Sequence, residues 1–389
     1  MKIVQINSVL NGSTGKIMMG IHNELLKQGY DSYVVWGRGR EPNNEHEIYM
    51  DDKIGTYFHV LYSRLTGKTG FASKRATKKL LKKLDGIKPD IVHLHNVHGY
   101  YINIELLFNY LKSNNIKVVW TLHDCWPFTG QCPHFERLKC YKWKEQCYKC
   151  PLTNSYPKAF IDNSKCNYIK KKELFTGLNM TIVTPSKWLA NLVKQSYLKD
   201  YRVEVINNGI DTNVFKLTKS NFREKYNLQD KKIILGVSSV WTESKGYYDF
   251  IELSKILDDD YKIVMVGLND KQLKEIPSNI IGIKRTENQQ ELAGLYSTAD
   301  IFFNPTYEDN YPSVNLEAIA CKTPVITYDT GGSSESANEC IYKICKSDFL
   351  KNYSNIFNKK YKLRNKPHNI RSMTDNYIKL VYIDREGKI

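Results

Sequence analysis

The sequence predicts an α/β protein built from two Rossmann-like domains, each with a parallel sheet. A chain of 389 residues is long enough for two domains. Residues 2–6 form a first apolar strand, followed by a glycine-containing turn at 11–15 and an amphipathic helix at 16–27. A strand, a glycine loop and a helix in this order begin a Rossmann-like unit. The same order recurs from residue 233, so we expect a second unit there.

The other strands are predicted where short apolar runs are followed by turn or helix-start residues. In the first domain these stretches are 31–36, 90–96 and 117–124. A strand followed by a capped helix is predicted at 181–189, and a strand followed by a turn at 203–211. In the second domain they are 233–238, 263–267, 281–286, 299–303 and 323–327.

Composition favours an ordinary globular protein. Hydrophobic residues make up 41% of the chain and charged residues 25%. No run approaches the roughly 20 apolar residues of a membrane span. Residues 1–4 lead straight into a strand and not into a signal peptide. We therefore expect a cytoplasmic protein.

Positive charge is concentrated in the first half of the chain. Of the net charge of +16, +14 lies in residues 1–205. A basic half favours nucleic acid, an anionic membrane surface or an anionic substrate as the partner. No nucleic-acid-binding motif is present, so nucleic acid is not expected. The alternative is that many of these lysines lie on solvated helix faces.

The most informative stretch is NPTYEDNYPSVNLE at 304–317. It follows the apolar strand at 299–303, and its loop carries Glu308 and Asp309 before Ser313 opens a helix. Ligands of open α/β sheets lie beyond the carboxyl ends of the strands, and a helix N-terminus there favours phosphate. Carboxylates beside a phosphate site bind hydroxyl groups, as in ribose recognition. The pattern predicts a sugar-nucleotide site.

This stretch resembles the signature of the retaining glycosyltransferases of family 4, which have the GT-B fold. The resemblance is strongest from 298 to 335 and closest to the colanic-acid and exopolysaccharide subgroup. Glu317 matches the second acid of the signature. Asp309 lies eight residues earlier, where the family has Glu, and Glu308 is one residue early, so both stay candidates for the sugar-contacting acid.

The resemblance covers nearly the whole chain and implies how its domains divide. Residues 1–206 would form an acceptor-binding domain, with a cysteine-rich insert at about 125–151. Residues 207–368 would bind the nucleotide-sugar, and the two domains would face a cleft. The periodic tail at 369–389 would be a helix that crosses back to the first domain.

The resemblance also implies roles for individual residues. Glu317 would bind the ribose hydroxyls, and Asp309 or Glu308 would hold hydroxyls of the donor sugar. Lys245, at the start of a helix, would neutralise the diphosphate. His123, at the carboxyl end of a strand, would touch the sugar and the acceptor. The remaining donor-binding candidates are Gly12, Thr14, Gly15, Lys284, Arg285, Asn310, Tyr311, Ser313 and Val314.

Histidines alternate on the predicted strand at 90–96. His93 and His95 point to one face, and His98 follows in the loop. A metal site is conceivable here, but family members have a similar strand without a catalytic metal. We therefore favour a role in the core or in lining the cleft, and no Asp-x-Asp site indicates a catalytic metal.

The insert contains four closely spaced cysteines. In a chain without a secretion signal, such spacing favours structural zinc over disulfides, with His134 as a substitute ligand. Unliganded or redox-active thiols are the alternative. The four are Cys132, Cys140, Cys147 and Cys150; the others, Cys125, Cys166, Cys321, Cys340 and Cys345, are expected to be small buried residues.

A basic stretch runs from Arg64 to Lys83, with Leu80, Leu81 and Leu84 as its apolar stripe. An amphipathic basic helix of this kind can lie on an anionic membrane surface. The alternative is an ordinary surface helix.

Together these features predict a retaining glycosyltransferase of bacterial surface or exopolysaccharide synthesis. It would use a UDP- or GDP-linked sugar and a glycan or polyprenyl-linked acceptor, at the inner face of the plasma membrane. The alternatives are a nucleotide-sugar epimerase or phosphorylase on the same fold, and a non-catalytic nucleotide-sugar or polysaccharide-binding protein.

Overall fold

The computed structural model describes residues 1–50, 52–336, 341–344, 346–357 and 369–383. The chain divides into two compact units. The first contains Met1–Asn207 and the C-terminal segment from Ile370, and the second contains Asn208–Asn369. Each unit is an α/β unit with its own sheet.

The first unit contains a sheet of seven strands, all parallel, in the order β3-β2-β1-β4-β5-β6-β7. The strands are β1 Lys2–Val9, β2 Asp31–Arg38, β3 Glu47–Tyr49, β4 Ile91–Leu94, β5 Lys117–Thr121, β6 Met180–Thr184 and β7 Arg202–Val205. The helices are α1 Gly12–Lys27, α2 Lys53–Thr66, α3 Lys74–Ile87, α4 Ile104–Ser113, α5 Ser164–Phe175 and α6 Lys187–Val193.

The second unit contains a parallel sheet of six strands in the order β10-β9-β8-β11-β12-β13. Its strands are β8 Lys232–Val237, β9 Tyr261–Val266, β10 Ile280–Ile283, β11 Ile301–Asn304, β12 Val325–Tyr328 and β13 Ile341–Ile344. Its helices are α7 Phe222–Lys225, α8 Tyr247–Ser254, α9 Asp270–Glu275, α10 Gln289–Thr298, α11 Ser313–Ala320 and α12 Lys346–Phe357.

The central strands of the first sheet are apolar on both faces, because helices cover both. Val4 and Val92 belong to the core on one face, and Ile3, Ile91 and Val119 to the core on the other. The second face is covered by α1 and by the C-terminal helix α13, Ile370–Tyr377, which continues as a π-helix over Ile378–Tyr382.

The predicted turn at 11–15 is wrong. α1 begins at Gly12, so these residues form its first turn, after Asn11 in an extended conformation. Gly15 is needed for this arrangement, because a Cβ at this position would overlap the backbone carbonyl of Leu10. The early start brings the helix N-terminus directly against the end of β1.

The apolar stripe of α3, which the sequence left open between a membrane surface and an ordinary surface helix, packs on the core of the first unit. Leu80 and Leu84 of α3 are buried in the core of the first unit, and Leu81 packs against it. These leucines are therefore not available to a membrane, and α3 is an ordinary surface helix with an exposed lysine-rich face. Among the described helices, none combines the length and the apolar character needed to cross a bilayer.

Candidate active site

In the second unit, the loops that follow β8 and β11 lie side by side because these strands are neighbours in the sheet. The backbone N–H of Tyr307 donates to the carbonyl of Ser244 at 2.8 Å. Gly246, at φ +76°, is required at this contact, because a Cβ would overlap Pro305. Residues from two distant parts of the sequence are thus held together at the carboxyl edge of the sheet.

Lys245 and Asp309 form an ion pair across these loops. The Lys245 Nζ lies 2.6 Å from the Asp309 Oδ2, and both side chains are partly exposed. The other carboxylate oxygen of Asp309 accepts a hydrogen bond from the backbone N–H of Tyr311 at 3.3 Å. Of the two candidate acids, Asp309 is the one that contacts the lysine. Glu308 accepts a hydrogen bond from Thr306 through its backbone carbonyl.

Glu317 lies in the second turn of α11 and is only 6% exposed. Its Oε2 accepts a hydrogen bond from the hydroxyl of Tyr296 at 3.1 Å. Burial and this carboxylate raise the pKa of Tyr296 well above its ordinary value, so the phenol stays protonated and keeps donating. Asn315 fixes the same helix through the amide of Asn304, at 2.8 Å.

The other predicted residues of this loop lie around the start of α11. Asn310 and Tyr311 are buried, whereas Ser313 and Val314 are the first two residues of the helix and are partly exposed. The carbonyl of Tyr311 accepts a hydrogen bond from the side chain of Asn208 at 3.3 Å. The loop is therefore anchored on both sides of its acid.

Lys284 and Arg285 follow β10, at one edge of the sheet, and both are exposed. Lys284 forms an ion pair with Asp270 at 2.6 Å. Within the described residues, neither side chain has a hydrogen bond or ion pair to the loop of Asp309. The structure therefore does not bring them into the cluster around Lys245.

In the first unit, the three predicted residues of the glycine loop lie in the first turn of α1. Gly12 is exposed at φ +82°. Thr14 accepts a hydrogen bond from the amide of Asn7 at 3.2 Å, and Gly15 is buried against Leu10. This turn offers backbone N–H groups at the carboxyl end of β1.

A chain of histidines crosses the ends of β4 and β5. His95 Nδ1 lies 3.0 Å from His123 Nε2, and His95 Nε2 lies 3.2 Å from the Gln5 oxygen. Deeper in the unit, His93 contacts the hydroxyls of Tyr382 and Thr121 at 2.7 and 2.8 Å.

Burial lowers the pKa of each of these three imidazoles. The pKa of His123 falls to about 4 and that of His93 to about 3, and the pKa of His95 lies well below its ordinary value. They are neutral at physiological pH. His123, the partly exposed member, can therefore present a neutral imidazole to a ligand.

Sequence reasoning missed a neighbouring pair. His98 Nε2 lies 2.7 Å from Asp124 Oδ2, and His98 Nδ1 lies 3.1 Å from the hydroxyl of Tyr156. Burial alone would raise the pKa of Asp124, but His98 and further hydrogen bonds bring it down to about 2. The sequence could have indicated this pair through position alone, because His98 and Asp124 each follow one of two adjacent parallel strands.

The four clustered cysteines line one small cavity in the insert. The described residues nevertheless contain no group of three or more His, Cys, Asp or Glu side chains arranged to hold a metal ion. Zinc binding therefore stays a prediction. Of the other cysteines, Cys125 and Cys321 are buried as expected, Cys166 is exposed, which corrects its assignment, and Cys340 and Cys345 lie outside the described residues.

The insert is ordered by Lys171, which is buried against the ring of Trp126 with its Nζ 3.5 Å from the ring centroid. The Nζ donates to the carbonyl of Thr129 at 2.7 Å and to that of Trp126. The insert is therefore held in place by a side chain of α5 as well as by contacts among its own aromatic side chains.

The two units differ in the chemistry that they offer. The second unit provides a lysine, a helix N-terminus and carboxylates, which suit an anion that also carries hydroxyl groups. The first unit provides neutral imidazoles and a second helix N-terminus.

Comparison with known proteins gives a consistent result. The sequence profile described as Glycosyltransferase Family 4 matches residues 15–214, just over half of the chain, and that described as Glycosyl transferases group 1 matches residues 218–368. The chain is 24% identical over 359 residues to the putative colanic acid biosynthesis glycosyl transferase WcaC of Escherichia coli K12, covering 88% of this chain and 86% of that protein.

A second relative is the N,N'-diacetylbacillosaminyl-diphospho-undecaprenol alpha-1,3-N-acetylgalactosaminyltransferase of Campylobacter jejuni. It is 25% identical over 218 residues, which cover 50% of this chain and 56% of that protein. Among solved structures, Anabaena HepE in complex with UDP and glucose has a TM-score of 0.66 at 12% identity, covering 98% of this chain and 99% of that chain. With two parallel-sheet units of the GT-B fold and a profile match over half its length, the chain belongs to glycosyltransferase family 4.

Proposed function

We propose that this chain transfers a sugar from a UDP- or GDP-linked donor to a hydroxyl of a glycan or lipid-linked glycan, with retention of anomeric configuration. The product would be part of a bacterial surface polysaccharide or exopolysaccharide. The observation that carries the proposal is the ion pair of Lys245 with Asp309, four residues before the helix that holds Glu317.

Donor binding would break this ion pair and replace it with contacts from each side chain to the donor. Lys245 and Asp309 neutralise each other when no donor is bound, so neither charge is left uncompensated in the partly buried loop. A bound donor gives each a new partner: the diphosphate for the ammonium, and sugar hydroxyls for the carboxylate. Negative charge then develops on the leaving diphosphate, where Lys245 and the N-terminus of α11 stabilise it.

Glu317 would hold the ribose. Tyr296 occupies one carboxylate oxygen, which fixes the orientation of the side chain. A buried carboxylate presented by a rigid helix can accept hydrogen bonds from two neighbouring hydroxyls. This geometry favours a nucleotide over a simple sugar phosphate as the donor.

His123 is proposed to contact the acceptor and the transferred sugar. A neutral imidazole can accept a hydrogen bond from a hydroxyl without attracting a second anion. The Campylobacter relative, by its name, acts on a diphospho-undecaprenol-linked sugar. We therefore propose an acceptor of the lipid-linked class, which would be met at the inner face of the plasma membrane.

The test is donor binding and turnover with a panel of UDP-, GDP- and ADP-sugars. We expect one donor to bind, to be slowly hydrolysed without acceptor, and to be transferred when a lipid-linked glycan is added. Glu317→Gln and Lys245→Met should each lower donor turnover about a hundredfold. Glu275→Gln and Lys271→Met, which change exposed residues of the same unit, are the matched controls.

Each alternative has its own outcome. Isomerisation of the donor would point to an epimerase, phosphorolysis to a phosphorylase, and binding without turnover to a binding protein. Proton coupling constants at the anomeric carbon of the new linkage decide between retention and inversion. If no nucleotide-sugar binds, the proposal is wrong.

A further inference from the structure

Helix α2 presents its apolar side chains outward. Ile54, Tyr57, Phe58, Leu61 and Leu65 recur at the spacing of one helix face, and each is between 52% and 86% exposed. A surface helix of a globular protein normally buries such a stripe in the core. The helix is otherwise well formed, since the Asp52 carboxylate caps its start and Gly67 ends it in the left-handed conformation.

The inward face of α2 is polar instead. Its buried residues are His59 and Ser63. His59 Nδ1 lies 2.8 Å from the Ser73 hydroxyl, and its Nε2 accepts a hydrogen bond from the backbone N–H of Gly70 at 3.2 Å. Because these polar contacts fix the helix, rolling it to bury the apolar stripe would break them. The outward orientation of the stripe is therefore built into the fold.

A second segment enlarges the apolar surface. Phe160 and Ile161 are 67% and 57% exposed. They lie against the C-terminal end of α2, because the backbone N–H of Phe160 donates to the carbonyl of Arg64 at 2.8 Å. The α2 surface, defined as the five residues above with Phe160 and Ile161, is thus formed by two separate segments of the first unit.

Positive charge borders this surface. Arg64, Lys68, Lys74 and Arg75 are exposed, and within the described residues none of them has a carboxylate at ion-pair distance. A cavity of about 980 Å³ opens here, lined by Ile54 and Phe58 together with Lys68, Lys74 and Arg75.

The acidic residues that also line this cavity are already engaged. Asp52 accepts the capping hydrogen bond of α2 at 2.8 Å. Lys170 lies 3.1 Å from Glu105 and 3.4 Å from Glu173. The four cations that line the cavity, Lys68, Lys74, Arg75 and Lys170, outnumber its three acids, so the net charge offered to a partner is positive.

We propose that the α2 surface docks onto an anionic lipid bilayer, with the apolar side chains in the acyl boundary and the bordering cations against lipid phosphates. Aromatic and aliphatic residues on one helix face beside unpaired lysines and arginines are what an interfacial helix requires. The bordering cations favour a lipid bilayer over an apolar protein partner. Against an apolar protein surface they would lose water without gaining an anion, whereas a bilayer offers them lipid phosphates.

The test is cosedimentation of the full chain with vesicles of phosphatidylglycerol and phosphatidylcholine in equal parts, and with vesicles of phosphatidylcholine alone. The wild type should bind the anionic vesicles, and high salt should weaken binding. Changing Ile54, Phe58 and Leu61 to Ser together should weaken it at least about tenfold, since each lost apolar side chain removes buried surface. Changing Leu217 and Tyr248 to Ser, equally exposed in the second unit, should change nothing.

A spectroscopic measurement checks the contact directly. In Tyr57→Trp, vesicles should shift the added tryptophan emission to the blue, and brominated lipids should quench it, whereas Tyr248→Trp should respond to neither. The proposal is overturned if the wild type does not bind anionic vesicles, or if the triple variant binds as well as the wild type. A dimer broken by the triple variant, with no vesicle binding, would show that a second copy covers the surface. None of these readouts needs donor or acceptor, so they stand apart from the proposed function.

Discussion

The Nδ1 of His95 lies 3.0 Å from the Nε2 of His123, and the two rings are stacked 12° from parallel. Each neutral imidazole carries one proton, so one of these two facing nitrogens donates and the other accepts. On its other side, the His95 Nε2 lies 3.2 Å from the amide of buried Gln5. The tautomer of the candidate site histidine is thus coupled to that of a buried neighbour.

Removing this neighbour should impair turnover more than folding. In His95→Phe the ring shape is kept, but His123 loses its hydrogen-bond partner, to which its tautomer is coupled. We expect kcat to fall about tenfold, or ~1.4 kcal/mol of barrier, with little change in KM for the donor. His22→Phe, which replaces another buried histidine of the same unit, is the control for general effects. An equal loss in both variants would argue against a positioning role for His95.

The two acids of the β11 loop should differ in importance. Asp309→Asn leaves Lys245 without its partner and removes the proposed hydroxyl acceptor, so we expect kcat/KM to fall about a hundredfold. Glu308→Gln should stay within about threefold of wild type. Steady-state kinetics with the donor identified in the panel measure both. The reverse order would assign the sugar contact to Glu308.

Acid should destabilise the first unit in a defined pH range. Burial lowers the pKa of His22, His59 and His123 to about 4 and that of His93 to about 3, so the folded chain binds fewer protons than the unfolded chain below pH 6.5. Stability is fully present above about pH 6.5 and is lost as pH falls toward 4, by roughly 1 kcal/mol per pH unit for each buried histidine.

Tryptophan fluorescence can localise this effect. All histidines in the described residues belong to the first unit, and Trp241 is the one tryptophan of the second. In Trp241→Phe the signal reports the first unit alone, and its urea midpoint should fall between pH 6.5 and 4.5. An unchanged midpoint would show that these histidines are protonated in the folded state.

Two glycines of the first unit should respond oppositely to alanine. In Gly15→Ala the new Cβ would overlap the carbonyl of Leu10, and such overpacking costs about 1–3 kcal/mol. Gly86 lies in α3 with open space around it, so Gly86→Ala should stabilise the protein by up to about 1 kcal/mol. Denaturant unfolding of both variants provides the comparison. Equal values would mean that α1 can move away from β1.

The cysteine cluster gives a metal prediction. Cys132, Cys140, Cys147 and Cys150 line the same cavity, and a zinc ion would have to draw their sulfurs closer together. Without a cation, burial raises the pKa of Cys147 to about 11, so its thiolate form is disfavoured. We expect purified protein to contain about one zinc per chain, lost with a chelator together with thermal stability. Metal-free protein of equal stability, with all four thiols reactive, would contradict this.

The strands were accessible from sequence because parallel strands covered on both faces are nearly continuous apolar runs. The run at 299–303 and the helix opened at Ser313 were placed to within a few residues of β11 and α11. The start of α1 was not, since Asn11 and Gly12 also suit a turn. The tertiary contact of Gly15 with the Leu10 backbone, which favours a helix from Gly12, cannot be seen in the sequence.

Contacts between side chains that are distant in the chain were much harder to predict from the sequence. Lys245 and Asp309 are 64 residues apart, and His95 and His123 are 28 apart. A sequence pattern assigns a residue to the carboxyl end of its strand, but strand order decides which ends are neighbours. The same limit explains why the sequence left α3 open between a membrane-surface helix and an ordinary surface helix. Periodicity identifies an apolar stripe, but the tertiary fold decides whether the core or the solvent receives it.

The return of α13 to the first unit has a consequence for synthesis on the ribosome. Met373, Tyr377 and Tyr382 complete a core that includes Ile3 and Ile21. The first half of the chain therefore emerges long before the residues that close its own core. The second unit is a contiguous stretch, Asn208–Asn369, and can finish folding first. The face of α1 that packs against α13 stays uncovered until α13 has been synthesised. Until then the apolar side chains of Ile17, Ile21 and Leu25 on that face have no covering helix.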